Sequence, residues 1–173
     1  MTNRSLGEIV GFGIIAGAVA ALVMGVYAMA ASAWMGQGFF TPLYGIASPL
    51  IGGKEMETSM MPGVYFTAGP ALLGLVVHLL WGGLYGAIFG LLWSRVGGSG
   101  APAIAAGVVY GLVVMAFMSL VVLPLVGAGG MPAMIGYSFG IEHALFGLVL
   151  GLWPSVQPGL FPRASALRPR NAA

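Results

Sequence analysis

The chain has 173 residues, 59% of them hydrophobic and only 6% charged, with a net charge of +2 and no cysteine. An ordinary soluble domain carries roughly 25% charged residues, so this composition is too poor in charge to face water all round and is suited to lipid. Disulfides, thiolate metal sites and thiol nucleophiles are excluded, and no basic patch interleaved with aromatics offers itself to nucleic acid.

Met1 to Glu8 is a short polar start. The apolar stretch from about Ile9 to Trp34 exceeds a signal-peptide core of about 7–15 residues and is read as a first membrane span. A second span is predicted over about 68–93, ended by the Ser94-Arg95-Val96-Gly97-Gly98-Ser99-Gly100 turn. Pro102 then sits where a helix start tolerates it. The third span is predicted at about 103–126 and the fourth at about 133–153, stopped by Pro154, leaving a tail at 154–173. About 20 apolar residues cross the hydrocarbon core, so the expected fold is all-α, a four-helix transmembrane bundle forming one membrane domain over residues 1–173.

Residues 35–67 form the one long connection, and their run of Gly, Pro and apolar residues is too apolar for a solvated loop and too broken for a span. The expected place is the outer interface, as a loop or short helix over the bundle. Arg4, Arg95, Arg163, Arg168 and Arg170 fall on one side of a four-span plan, and Lys54 with Glu55 and Glu57 on the other. The bias of cations places both termini in the cytoplasm and the protein in the cytoplasmic (inner) membrane. Trp93 and Trp153 are then expected at the inner interface, and Trp34, Tyr65, Phe66 and Tyr137 near the outer one.

A repeat is legible. His78-Leu79-Leu80-Trp81-Gly82 with Gly86 and His143-Ala144-Leu145-Phe146-Gly147 with Gly151 both read H-x-x-aromatic-G-x-x-x-G. Ala16-Gly17, Val19 and Leu22-Val23 likewise match Ala106-Gly107, Val109 and Leu112-Val113 at a constant offset. Two copies of a helical hairpin follow, entering the membrane in the same direction, the first enlarged by the long outer loop. His78 and His143 should then lie at nearly one depth, each heading a small-residue groove. The packing glycines are Gly82, Gly86 and Gly90 after His78, and Gly147 and Gly151 after His143.

Three chemistries fit these residues. Two midplane imidazoles on separate helices could ligate haem or another cofactor. Glu142, whose charge would cost on the order of 3 kcal/mol near mid-membrane, calls for a cross-helix partner such as His78 and could pass protons or small solutes. Met56, Met60 and Met61, beside Glu55 and Glu57, are weak candidates for soft-metal binding, although methionine also serves as adaptable apolar filler. No Ser/His/Asp set, metalloprotease motif, nucleotide loop or pair of facing carboxylates can be assembled, which argues against an enzyme.

In its fourth span, through His143, Phe146, Gly147 and Gly151, the chain resembles small uncharacterised four-span prokaryotic membrane proteins that carry this motif in the last helix. That resemblance implies fold and location and no activity. A similarity to haem-binding four-helix membrane cytochromes rests on the placement of the two histidines alone. The expectation from the sequence is a non-enzymatic accessory or packing component of a membrane assembly. Its surroundings would be the lipid bilayer and membrane-protein partners or further copies of itself.

Overall fold

The computed structural model describes residues 5–61, 65–129, 131, 136–157 and 161. Every regular element among them is helical: α1 (Leu6–Trp34), α2 (Thr41–Ile51), α3 (Lys54–Ser59), α4 (Ala68–Val96), α5 (Ala101–Phe117), a π-helical turn (Met118–Val122), α6 (Leu123–Leu125) and α7 (Tyr137–Val156). Among the described residues, four helical stretches are long and apolar enough to cross a membrane: Leu6–Trp34, Ala68–Val96, Ala101–Leu125 and Tyr137–Val156. The chain is an all-helical protein with the plan of a multi-pass membrane bundle.

The helix limits differ from the sequence reading for local reasons. α1 begins at Leu6 because Ser5 and Glu8 form a reciprocal cap: the Glu8 amide donates to Ser5 Oγ at 3.2 Å, and the Ser5 amide to Glu8 Oε2 at 3.0 Å. α7 starts at Tyr137, and the expected residues 133–135 of the fourth span lie outside the described residues. Pro154 does not stop that helix, which continues to Val156. A proline in the last turn fits helical φ and forfeits little hydrogen bonding, since almost no helix follows it. The third span is not uniformly α-helical. Leu123 N–H reaches back five residues to the Met118 carbonyl, a wider turn that directly precedes Pro124, whose ring would crowd an α-helical carbonyl four residues earlier.

Where α1 meets α4 and α5 meets α7, the residues inside are mostly small, and many large aliphatic ones face outward. Ala16, Ala20, Ala21 and Ala103 are buried, while Val26, Leu80, Val109 and Leu120 point outward. This reverses the pattern of a soluble core, because lipid solvates leucine as well as a protein interior does, and close backbone approach becomes the source of packing energy. α1 packs on α4 and also on α7, and α5 packs on α7. At the α1–α4 crossing a Cβ added to Gly17 would overlap the Gly82 carbonyl and lie 2.8 Å from Gly86 Cα. At the α5–α7 crossing a Cβ added to Gly107 would overlap the Gly147 carbonyl and lie 2.7 Å from Gly151 Cα. Gly82, Gly86, Gly147 and Gly151, picked out by spacing, therefore stand at these two close crossings. Gly90 is looser, its nearest neighbour the Ile9 carbonyl at 3.2 Å from an added Cβ.

Between α4 and α5 the space is filled instead by large rings. Phe89 stacks on Trp93 and packs against Tyr110, whose hydroxyl donates to the Tyr85 carbonyl at 2.8 Å. Trp93 is buried, with its Nε1–H donating to the Gly98 carbonyl at 2.9 Å, so it braces the α4–α5 turn where an interfacial ring had been expected. Trp34 and Tyr137, by contrast, are 91% and 82% exposed, as rings of an interfacial belt would be.

The 35–67 connection contains two helices. α2 crosses α4 where Gly74 has no side chain, for a Cβ there would overlap the Leu43 carbonyl. The Ser59 carbonyl, at the end of α3, accepts from the Gly38 amide at 2.8 Å and from Thr41 Oγ1 at 3.2 Å. The Thr67 amide donates to the hydroxyl of the buried Tyr44 at 2.8 Å, and Tyr65 donates its hydroxyl to Glu55. These bonds tie α2 and α3 across one end of the four long helices.

Candidate functional site

His78 lies on α4 and its ring reaches α1. Nε2–H donates to the Ala21 carbonyl at 2.9 Å. Room for the ring comes from Gly25, where a Cβ would stand 3.4 Å from that nitrogen. A carbonyl only accepts, so Nε2 carries a proton, and in the neutral imidazole Nδ1 is then an acceptor.

His143 makes the opposite choice. Its Nδ1–H donates to the Phe139 carbonyl one turn back at 2.9 Å, and the Phe139 ring packs edge-on with centroids 4.4 Å apart. Nε2 is then the acceptor. The residue four positions before each histidine accounts for part of the difference. Phe139 braces His143, whereas Gly74 gives its place to the α2 backbone, and the His78 ring finds its acceptor on the neighbouring helix instead.

Glu142 is buried on α7 beside His143, and Ser138 Oγ–H donates to its Oε1 at 3.1 Å. The expected Glu142–His78 contact is not among the hydrogen bonds of the described residues. The His78 ring is held toward α1, and Glu142 has a partner one turn back on its own helix.

Above these groups lies a cavity of about 380 Å³. Its walls come from all four long helices, the π-helical turn, α2 and α3. His78, Tyr85, Glu142 and His143 line it together with Ser32, Thr41, Met24, Val114, Met118, Phe139 and Phe146. The wide π turn contributes Met118 and Val122, and Leu123 and Val126 follow on the same wall. Met56 and Met60 also face the cavity, but Met61 is 66% exposed and turned outward, so the three do not form one ligand set. Among the described residues no group of three or more His, Cys, Asp or Glu side chains is placed to hold a metal ion.

The structure thus brings His78, Glu142 and His143 to one chamber and keeps Gly82, Gly86, Gly147 and Gly151 in the crossings beneath and beside it. Spacing could have found further lining residues. Phe139 precedes His143 by four and Tyr85 follows His78 by seven, each returning to the same helix face, and the same spacing places Ser138, the partner of Glu142, four residues before it. The chamber itself had no such signal.

Comparisons of the chain with protein-family models, with curated proteins and with solved structures returned no match. What the site can do therefore rests on its geometry.

Proposed function

We propose that the chain is a non-enzymatic multi-pass membrane protein that holds a small, largely apolar guest inside its bundle. The accessory role expected from the sequence takes this form: a guest-holding component of a membrane assembly. One observation carries the reading. The buried polar side chains Glu142 and His143, with His78 opposite, converge on a mostly apolar chamber of about 380 Å³, within the roughly 300–1,000 Å³ of ordinary small-ligand sites. Haem held by both histidines has less support, because ligation through His78 Nε2 would first have to break its bond to the Ala21 carbonyl. Proton passage through Glu142 also has less support, since its recorded partner is a hydroxyl on its own helix.

In the finer architecture we read two hairpins, α1 with α4 and α5 with α7, as parallel repeats about an axis along the membrane normal. Support comes from the matching pairs Gly17–Gly82 and Gly107–Gly147. Both termini face the cytoplasm in this reading. α2 and α3 then form an outer cover over the chamber, in the cytoplasmic membrane.

Native mass spectrometry of protein purified in mild detergent tests the guest. A single small-molecule adduct is expected on the wild type. It should be lost in Val114→Trp, which fills the chamber from α5, and kept in Leu120→Trp, on a side chain 78% exposed outside it. Absence of the adduct from the wild type, or its persistence in Val114→Trp, rejects the reading. An absorption spectrum of the same sample, by its Soret band, decides for or against haem.

A further inference from the structure

The hydrogen-bonding inventory of the chamber is one-sided. The Ser32 hydroxyl donates to the Gly38 carbonyl at 2.9 Å and the Thr41 hydroxyl to the Ser59 carbonyl at 3.2 Å. The Tyr85 hydroxyl donates to Met118 Sδ at 3.3 Å, and each histidine donates its ring proton to a backbone carbonyl. With Glu142 ionised and both imidazoles neutral, what these groups leave unused are acceptors: the second oxygen of Glu142, Nε2 of His143 and Nδ1 of His78. Among the described residues no lysine or arginine lines the chamber. The remaining side-chain donors, Gln37 and Trp81, stand toward the rim, where Gln37 is half-buried and Trp81 is 36% exposed.

We propose that the chamber is a site for a small lipophilic amine, bound as its ammonium with N–H groups directed to Glu142 and to the free ring nitrogens of His78 and His143. This rests on the guest-holding reading and names the class of guest. An ammonium supplies the donors and the charge that the lining lacks, and a carboxylate is its strongest acceptor. Tyr85, Phe146 and Trp81 supply aromatic surface on which a cation and an apolar body both bind well. The rim sets the route. Trp81, in the middle of the long apolar α4, is 36% exposed at the rim, which opens a route to the chamber from the lipid side and favours a lipophilic guest.

The test is equilibrium dialysis of radiolabelled probes against the full chain in lipid nanodiscs, with empty nanodiscs subtracted. The probes are 4-phenylbutylamine and the neutral 4-phenylbutanol, against wild type and Glu142→Gln. Saturable binding of one amine per chain is expected, with the alcohol at least tenfold weaker. In Glu142→Gln the amine should fall to the level of the alcohol, and the alcohol should be unchanged. If both probes bind the wild type within tenfold of each other, or if Glu142→Gln leaves the amine's advantage intact, the amine class is overturned while the guest-holding chamber stands. If neither probe binds saturably, both readings fall. Should Glu142→Gln fail to fold, as judged by circular dichroism and gel filtration, the wild-type ratio of amine to alcohol decides alone.

Discussion

Gly147 stands against the backbone of α5, and replacing it with alanine tests whether this crossing is as tight as the structure has it. A Cβ there would overlap the Gly107 carbonyl oxygen and lie 2.8 Å from the carbonyl carbon and 2.9 Å from Val108 Cα. Ordinary contact begins at 3.4 Å, so relieving the carbonyl carbon alone takes about 0.6 Å and the overlapping oxygen requires α5 and α7 to part further still. All three obstructing atoms are backbone, which cannot turn aside as a side chain can. Overpacking of this kind costs about 1–3 kcal/mol. Alanine returns about 0.5–1 kcal/mol through its better helix propensity. With every obstructing atom in the backbone, the overpacking cost falls in the upper part of that range, about 2–3 kcal/mol, so Gly147→Ala should destabilise the bundle by about 1–2.5 kcal/mol net, roughly a five- to seventyfold shift in the folded-to-unfolded ratio. Gly140→Ala is the matched control on the same helix, since a Cβ there meets only Met115 Sδ at 3.9 Å. It should be neutral or stabilising by up to about 1 kcal/mol. Unfolding in mixed micelles by titration with sodium dodecyl sulfate, followed by circular dichroism, measures both. A Gly147→Ala protein as stable as wild type, or a Gly140→Ala protein equally damaged, would refute the packing argument.

Two further outcomes are expected. The Glu55 carboxylate accepts the Tyr65 hydroxyl proton, and this hydrogen bond raises the phenol above its ordinary value of 10.0. The Tyr65–Glu55 contact between α3 and the segment leading into α4 is thus held up to pH 10.0 and lost as pH rises through the raised value. In a tyrosinate absorbance titration, Tyr65→Phe should remove a step lying above pH 10.0, and a missing step at or below that pH would contradict the assignment. Orientation can be read with single cysteines, because the chain has none of its own. A membrane-impermeant maleimide applied to intact spheroplasts should label Glu57→Cys on α3 and spare Ser155→Cys on α7, both being exposed positions; the reverse pattern would invert the proposed topology.

Much of the architecture was legible because the relevant physics is local to each helix. A span is recognised from about 20 consecutive apolar residues, and residues four apart share a face whatever lies opposite. Hence the four long helices, and the assignment of Gly82, Gly86, Gly147 and Gly151 to packing faces, could be read before any partner was known. The 35–67 connection was harder. Pro42 and Pro49 read as breaks, yet Pro42 lies in the first turn of α2, where its missing N–H costs nothing. Pro49 sits near the end of that helix, with only Leu50 and Ile51 after it. Tertiary packing of Leu43, Tyr44 and Ala47 holds the segment together.

The amino-acid sequence by itself determined the solvent this chain is suited to, the number of long apolar helices and the faces on which its glycines and histidines lie. Only the tertiary structure decided what those faces meet. His78 donates to a carbonyl 57 residues earlier in the chain, while His143, with the same local motif, donates within its own helix. Glu142 bonds to Ser138, and the chamber is enclosed by walls from all four long helices, the π turn, α2 and α3. A cavity is the mismatch between surfaces from distant parts of the chain. No single stretch of sequence encodes it, and so the site came into view only when the helices were packed.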